Sequence, residues 1–249
     1  MLITNTFINS YFKPVYANKS AQTSFFAVNS PAFSGKKEDY EKEIASYQRK
    51  LSSLGIKSFL FDKGDIKNLI LAKSVHDAFL DIRNAGFNIP KGISVHCDDA
   101  ADLFEKDSND MAYTDTDSSS KKIKPEIHLN APRYRYNKNL PYVVHSTGGD
   151  PKIYNSKMDV YHEFAHAHQA INNNNYYLDL RNQKFDKETK NEITKCINSY
   201  AATDKAEFVA EYFAYKMAGI EIKSDKINLE KLYNDCHGPK FKKKLDLVA

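Results

Sequence analysis

Two histidines four residues apart, with a glutamate directly after the first, form the most constraining feature of this sequence. His162, Glu163 and His166 make the pattern H-E-x-x-H. On a helix, residues at this spacing lie one turn apart on one face, so both imidazoles can bind one metal ion. The glutamate between them is then placed to activate a water molecule. The pattern therefore predicts a helix here, with a zinc hydrolase site on it.

The residues around the motif favour a helix that is apolar on one side. At about 100° per residue, four apolar residues fall within a narrow arc; they are Val160, Phe164, Ala167 and Ile171. Both histidines lie on the other side, so we expect them to line a cleft and face away from the core. Ser156 and Asp159 predict a capping box at the helix start, and Asn172 to Asn175 predicts its end. The alternative is an amphipathic helix whose exposed face carries two histidines by chance.

A catalytic zinc site needs a third protein ligand from elsewhere in the chain. Apolar residues at helical spacing predict a second helix buried along one stripe; they are Ala206, Val209, Ala210, Phe213 and Met217. Glu207 and Glu211 lie one turn apart beside that stripe, where one carboxylate can bind a metal and the other can orient a histidine ring. Alternatively, Asp204 and Glu207 form a capping box and Glu211 is a solvated helix residue.

Together, the two segments resemble the family of the anthrax lethal factor catalytic domain and the Pro-Pro endopeptidases, which are gluzincin metallopeptidases. H-E-F-A-H comes first, and S-Y-x-x-T-x-x-A-E-F-x-A-E-x-F follows at residues 199–213. The resemblance covers roughly residues 90 to 240 and is strong only around these two motifs. It implies that His162, His166 and Glu207 bind one zinc ion.

The same resemblance implies roles for three further residues. Glu163 would be the general base, and Glu211 would stand behind the metal. Tyr200 would donate a hydrogen bond to the oxyanion of the tetrahedral intermediate. The implied activity is that of a zinc endopeptidase acting on a protein or peptide substrate.

The order of predicted elements favours an α+β fold of the zincin-like metallopeptidase type. Helices are predicted over residues 34–53 and 65–86, and short strands over Gly92 to Asp98 and Pro125 to Asn130. By resemblance to zincins, the last of these strands is the sheet edge that pairs with an extended substrate. Residues 105–124, rich in Asp, Ser and Lys, predict a mobile loop. We therefore expect a small mixed sheet with an edge strand over the H-E-x-x-H helix, and a helical C-terminal subdomain.

Two other segments allow a functional interpretation and a simpler one. His128, on the second predicted strand, either contacts substrate or is an exposed strand histidine, and exposure is the simpler account. The segment from His145 to Pro151 is dense in turn formers. It forms either part of a cleft wall or, more simply, a surface turn.

Residues 1–33 differ from the rest of the chain. They contain no acidic residue and no periodicity long enough for a helix, which predicts a loosely structured leader before one metallopeptidase domain over residues 34–249. No apolar segment follows a basic start, so we expect no Sec signal peptide. Leaders of this composition occur on type III or flagellar export substrates, and the resemblance to toxin peptidases favours a secreted bacterial effector. A disordered terminus on a cytoplasmic protein is the alternative.

Composition limits the remaining classes of function. Cys97, Cys196 and Cys236 are widely spaced, which predicts neither a disulfide framework nor a structural zinc site and favours a reducing environment such as a host cytosol. The net charge is +4, and the short lysine cluster at residues 240–244 is too small to indicate nucleic acid binding. No stretch approaches roughly 18 consecutive apolar residues, so we expect no membrane insertion. A monomer is expected.

Two other classes of function remain open. One is a zincin-like fold without activity that serves as a binding or adaptor module. The other is a helical interaction protein whose H-E-x-x-H motif is accidental. Bound zinc separates the enzyme from the second, and peptide cleavage separates it from the first.

Overall fold

The computed structural model describes residues 36–61, 64–98, 110–116 and 123–241. Within these ranges the chain is a mixed α+β structure of six α-helices and a small mixed sheet. The helices are α1 (Lys37–Ser53), α2 (Ile66–Asn84), α3 (Ser156–Asn182), α4 (Lys187–Cys196), α5 (Lys205–Met217) and α6 (Leu229–Asp235). The strands are β1 (Ser58–Phe61), β2 (Ser94–Asp98), β3 (Ala112–Asp115), β4 (Glu126–Asn130), β5 (Tyr134–Arg135) and β6 (Val144–His145). The predicted leader over residues 1–33 and the lysines from Lys242 onward lie outside the described residues.

Helices α1 and α2, with strand β1 between them, confirm the helices predicted over residues 34–53 and 65–86, to within a few residues at their ends. The carboxylate of Asp65 accepts a hydrogen bond from the Asn68 backbone N–H at 2.8 Å and so caps the start of α2. At the other end, Gly86 has a φ of 90°, a conformation that only glycine adopts without strain. Both termini of α2 are therefore set by local sequence.

The main sheet has the strand order β1-β2-β4-β3. Strands β1, β2 and β4 are parallel, and β3 runs antiparallel to β4 at the edge. One face of the sheet is fully buried through Val95, Cys97, Ile127 and Leu129. Side chains alternate along a strand, so this face carries every second residue of β2 and β4.

The edge of the sheet differs from the prediction. Strand β4 was expected at the edge, but it lies inside the sheet, between β2 and β3. Strand β3 falls within residues 105–124, which were predicted to be a loop. The four residues of β3, Ala-Tyr-Thr-Asp, are too few and too polar to give a recognisable period of two.

His128 is not the exposed strand histidine that the sequence favoured, because only 4% of its surface is accessible. The registers of β2, β4 and β3 place His96, His128 and Tyr113 side by side. The His128 ring stacks on Tyr113 at 4.5 Å and on His96 at 4.8 Å between ring centroids. Neighbouring rings on both sides therefore cover it.

An aromatic cluster joins α3 to α2 and α5 in the core. Phe164 of α3 lies 6.3 Å from Phe79 of α2 and 5.9 Å from Phe213 of α5, measured between ring centroids. Phe87, which follows α2, lies 5.2 Å from Phe213. The first and third of these pairs are edge-to-face and the second is tilted; aromatic pairs contribute about 0.5–1.5 kcal/mol each beyond the burial of their surface. The cluster fixes α3 and α5 against each other, which matters because the two helices carry the candidate site.

All three cysteines of the chain are free thiols. No helix among the described residues combines the length and the apolar character needed to cross a lipid bilayer.

Candidate metal centre

Helix α3 starts one residue earlier than a Ser156 capping box would place it. Its N-cap is Asn155, whose side-chain oxygen accepts hydrogen bonds from the backbone N–H groups of Lys157 and Met158 at 2.9 and 3.1 Å. Ser156 is the first helical residue. The carboxylate of Asp159 is used elsewhere: it accepts a hydrogen bond from the Tyr134 hydroxyl at 2.7 Å and lies 2.8 Å from Nε2 of His145.

That last contact involves the first residue of the segment from His145 to Pro151. His145 is buried, with 8% of its surface accessible, and the turn begins only after it. Gly148 and Gly149 have φ values of 92° and 105°. The segment is a turn, as its composition predicts, but its first residue is anchored to the start of α3.

Three predicted metal ligands converge at one point between α3 and α5. Nε2 of His162 lies 3.0 Å from Nε2 of His166, and Oε2 of Glu207 lies 3.1 and 3.3 Å from these two nitrogens. Ligands held about 2.0 Å from a tetrahedral zinc ion lie about 3.3 Å from one another. The spacing of the three atoms therefore fits a single metal ion, and among the described residues no other His, Cys, Asp or Glu group is so arranged.

The ligands are buried, contrary to the cleft-lining position that helical arithmetic predicted. The accessible fractions of His162, His166 and Glu207 are 6%, 4% and 7%. The side of α3 that bears the histidines is covered by α5, which supplies Glu207. Periodicity identified the two faces of α3 correctly, but it could not show that a second helix covers the polar face.

The charges of the cluster are those of a cation site. Burial alone would lower the pKa of His162, but hydrogen bonds to the carboxylates of Glu207 and Glu211 outweigh it and raise that pKa well above 6.5. Burial would raise the pKa of Glu207, yet the nearby rings of His166 and His162 hold it well below 4.5. The carboxylates of Glu207 and Glu211 thus favour a positive charge at the two histidine rings.

Glu211, which the resemblance places behind the metal, lies beside the His162 ring. Its Oε1 is 3.0 Å from Nδ1 of His162, within hydrogen-bonding distance but off the ideal direction. Its Oε2 accepts a hydrogen bond from the Asn198 side chain at 2.8 Å. A carboxylate at Nδ1 favours the tautomer in which Nε2 is free to bind a metal. Asn198 was missed from the sequence, because a lone asparagine in a loop carries no periodic signal.

Glu163 is buried and has one side-chain partner among the described residues. Its Oε2 accepts a hydrogen bond from the Thr114 hydroxyl on β3 at 2.6 Å. Burial raises the pKa of the Glu163 carboxyl, although the His162 and His166 rings oppose this. Thr114 was also missed from the sequence, because it lies in the segment predicted to be a loop.

Tyr200 lies at the open side of the site. Its ring centroid is 5.8 Å from that of His162, and 52% of its surface is accessible. Desolvation of the hydroxyl and the carboxylates of Glu207 and Glu163 raise its pKa well above 10. The hydroxyl is therefore protonated at neutral pH and can donate a hydrogen bond.

Helix α3 is interrupted at Asn173, inside the run of asparagines that predicted its end. Asn173 has φ −161° and ψ 91°, and its side chain accepts a hydrogen bond from the Tyr176 N–H at 3.1 Å, as an N-cap does. Tyr177 stands eleven positions after His166, which in a straight helix would separate them by about 16 Å. Their rings are instead 5.6 Å apart. The break thus turns the second half of α3 back towards His166.

No protein-family model, no curated protein and no solved structure matches this chain.

Proposed function

We propose that this chain is a zinc-dependent endopeptidase that hydrolyses peptide bonds in a protein substrate. The observation that carries the proposal is the convergence of the His162, His166 and Glu207 ligand atoms, 3.0 to 3.3 Å apart, beside the buried Glu163. Two imidazole nitrogens and one carboxylate oxygen are a ligand set of hydrolytic zinc sites. Structural zinc sites use four protein ligands, whereas three converge within the described residues. A catalytic zinc site takes three protein ligands and a water molecule, which is the count that this cluster supports.

The remaining groups suit this reaction. A bound zinc ion would supply Lewis acidity, which lowers the pKa of water and polarises a carbonyl group. Glu163 would accept a proton from the water as the new C–O bond forms, and would give it to the amine that leaves when the C–N bond breaks. Burial raises the pKa of the Glu163 carboxyl, which is the direction that suits a group that must take up and release a proton. The protonated Tyr200 would donate a hydrogen bond to the oxyanion.

The position of β3 supports an extended peptide as substrate. The Met111 carbonyl accepts a hydrogen bond from the Asn130 N–H at 2.8 Å, so this pair is hydrogen-bonded across to β4. Bonding alternates along antiparallel strands, so the backbone groups of Ala112 and Thr114 point away from β4. Strand β3 is the last strand of the sheet in the described ranges. A peptide strand can add to such an edge.

Metal analysis combined with peptide cleavage tests the proposal. We expect purified wild-type protein and Glu163→Gln to retain about one zinc ion per chain after dialysis. His162→Ala should lose the metal. A matched control is His168→Gln, because His168 lies on the same helix, packs against Phe164 at 5.9 Å and is not a ligand; it should keep zinc.

Cleavage is measured by mapping new N-termini in a library of proteome-derived peptides. Wild type and His168→Gln should cleave, whereas Glu163→Gln should not. Bound zinc without any cleavage by wild type would contradict a peptidase and favour a binding or adaptor module. Absence of zinc from wild type would end the case for a metal site. Secretion as a bacterial effector or toxin stays a prediction, since residues 1–33 lie outside the described residues.

A further inference from the structure

We infer that Thr114 is a positioning residue for Glu163, through which the edge strand β3 holds the general base in place. This inference rests on the proposed function, because it concerns the same site. The Thr114 hydroxyl oxygen lies 2.6 Å from Oε2 of Glu163 and 3.0 Å from the backbone carbonyl oxygen of the same residue. The H-E-x-x-H motif does not predict this contact, because Thr114 lies 49 positions before Glu163 in the sequence.

The direction of the Thr114 side chain follows from the strand. Tyr113 stacks on His128 at one face of the sheet, so its neighbour Thr114 projects from the other face, towards α3. The β-branched side chain of threonine suits a strand. Its hydroxyl contacts the carboxylate and the backbone carbonyl of Glu163 on α3. The contact is thus fixed by strand geometry as well as by the hydrogen bond.

The hydrogen bond constrains one oxygen of Glu163 and leaves the other available. A hydroxyl carries one hydrogen, which it can donate to the carboxylate or to the backbone carbonyl, and the shorter distance favours the charged carboxylate. No hydrogen bond to Oε1 of Glu163 occurs in the part of the chain that the structure describes. Oε1 is therefore the oxygen that can take the proton from water, with the carboxylate plane held by Thr114.

Thr114 also links substrate binding to the base. Its backbone N–H and C=O point towards the open edge of the sheet, where an extended peptide would pair, while its side chain holds Glu163. One residue therefore sets the distance between a bound peptide backbone and the group that activates water. A small shift of β3 would move both together, so the register of the peptide and the position of the carboxylate stay matched.

The test compares Thr114→Val with Thr114→Ser in full-length, zinc-loaded protein. Valine keeps the size and the strand preference but removes the hydroxyl, whereas serine keeps the hydroxyl. We expect Thr114→Val to lower kcat roughly tenfold to a hundredfold, the range for loss of a hydrogen bond to a charged group. KM and zinc content should change little, and Thr114→Ser should recover most of the lost kcat. Asp115→Asn, on the opposite face of β3, is the matched control and should behave as wild type.

A second measurement uses metal-free protein and does not depend on activity. In protein labelled with ¹³C at the glutamate carboxyl carbon, the resonance of Glu163 is the one missing from Glu163→Gln. We expect that resonance to shift in Thr114→Val and to stay near its wild-type position in Thr114→Ser.

The outcomes distinguish this inference from the proposed function. If wild type cleaves peptides and Thr114→Val has an unchanged kcat, Thr114 does not position the base. Equal loss of kcat in the valine and serine variants would also overturn the inference, because it would assign the effect to packing of β3. If wild type cleaves nothing, the proposed function fails, and the carboxyl resonance still shows whether Thr114 holds Glu163.

Discussion

The contact at Nδ1 of His162 decides which of its ring nitrogens can bind a metal. Glu211 occupies the Nδ1 side at 3.0 Å, which leaves the Nε2 lone pair facing His166 and Glu207. The Nδ1 atoms of both rings are buried without a well-directed hydrogen bond in the described ranges, but only that of His162 has a carboxylate oxygen at 3.0 Å. The two ligands on one helix are therefore held differently, one by a carboxylate and the other by packing against Tyr177.

Tyr200 gives a prediction at the scale of one hydroxyl group. Tyr200→Phe leaves the ring beside His162 and removes only the donor, so zinc content should stay unchanged. If the hydroxyl stabilises the oxyanion, the activation free energy should rise by about 2.7–4 kcal/mol. This corresponds to a fall in kcat of roughly a hundredfold to a thousandfold. Steady-state kinetics and metal analysis measure both effects.

Tyr212→Phe provides the control for Tyr200→Phe. Tyr212 lies on α5 but packs against Tyr233 at 4.7 Å and has no part in the site. Its variant should keep wild-type kcat. Loss of zinc from Tyr200→Phe would show that the tyrosine supports the structure of the site and does not act in the reaction.

Sequence alone located most of the candidate site at the residue scale. Helical periodicity and motif spacing identify His162, Glu163 and His166, because all three lie on one helix. Glu207, Glu211 and Tyr200 needed the resemblance as well, since a carboxylate beside an apolar stripe has an ordinary structural explanation. Asn198 and Thr114 contact the site from outside both motifs, so only the tertiary structure brings them to it.

At the scale of elements, the N-cap of α5 sets the position of the third ligand. The carboxylate of Asp204 accepts hydrogen bonds from the backbone N–H groups of Ala206 and Glu207, each at 3.0 Å. This confirms the capping role that the sequence suggested for Asp204. Glu207 is not the reciprocal member of a capping box, because its carboxylate lies against the histidines. The sequence treated capping and metal binding as alternatives, whereas Asp204 and Glu207 divide the two roles between them.

Replacing Asp204 should therefore affect both stability and metal binding. Asp204→Ala removes a helix cap and should lower the free energy of unfolding by about 1 kcal/mol. Because the cap holds the first turn of α5, which carries Glu207, zinc affinity should also fall. Urea unfolding of metal-free protein measures the first effect, and competition with a chelator measures the second.

A second helix cap provides the comparison for Asp204→Ala. Asp186 caps helix α4 by accepting a hydrogen bond from the Thr189 N–H at 2.9 Å. Asp186→Ala should destabilise the protein by a similar amount and leave zinc affinity unchanged. Equal loss of zinc affinity in both variants would show that general destabilisation causes the effect, and that the α5 cap has no particular role.

Among the strands, β2 and β4 could be predicted from the sequence and β3 could not. Helices α1 and α2 and strands β2 and β4 were predicted because each is long or apolar enough to show its period. Strand β3 is short and polar, and it exists because β4 offers it a partner. Its place at the sheet edge depends on the pairing of all four strands, so a local pattern of residues cannot predict it.

For the whole molecule, the buried charges should make stability depend on pH. The metal-free fold should lose stability as the pH rises, while the stabilisation that zinc adds should grow. The raised pKa of His162 means that its charged form stabilises the metal-free fold below about 6.5, the unfolded value. This contribution is lost as the pH rises through the raised pKa. The pKa of Glu207 is well below 4.5, so its charge does not change above that value. Zinc needs the neutral ring, so its affinity increases with pH.

Thermal unfolding between about pH 5 and about pH 8 tests this expectation. The melting temperature of the metal-free protein should fall towards the alkaline end, while the increase caused by zinc should grow. At a zinc concentration one hundred times Kd, that stabilisation is about 2.7 kcal/mol. Glu211→Gln removes one carboxylate that raises the pKa of His162 and should flatten the metal-free profile. A zinc effect of constant size across the range would contradict the assignment of His162 as a ligand.

The interruption of α3 at Asn173 sets local helix stability against the assembly of the site. Alanine there would extend one uninterrupted helix and improve its intrinsic propensity. It would also remove the cap of the second half of α3 and carry Tyr177 away from the His166 ring. A change that strengthens the helix in isolation would therefore loosen His166, and the gain in helix propensity would come at the expense of the packing beside the cluster of His162, His166 and Glu207.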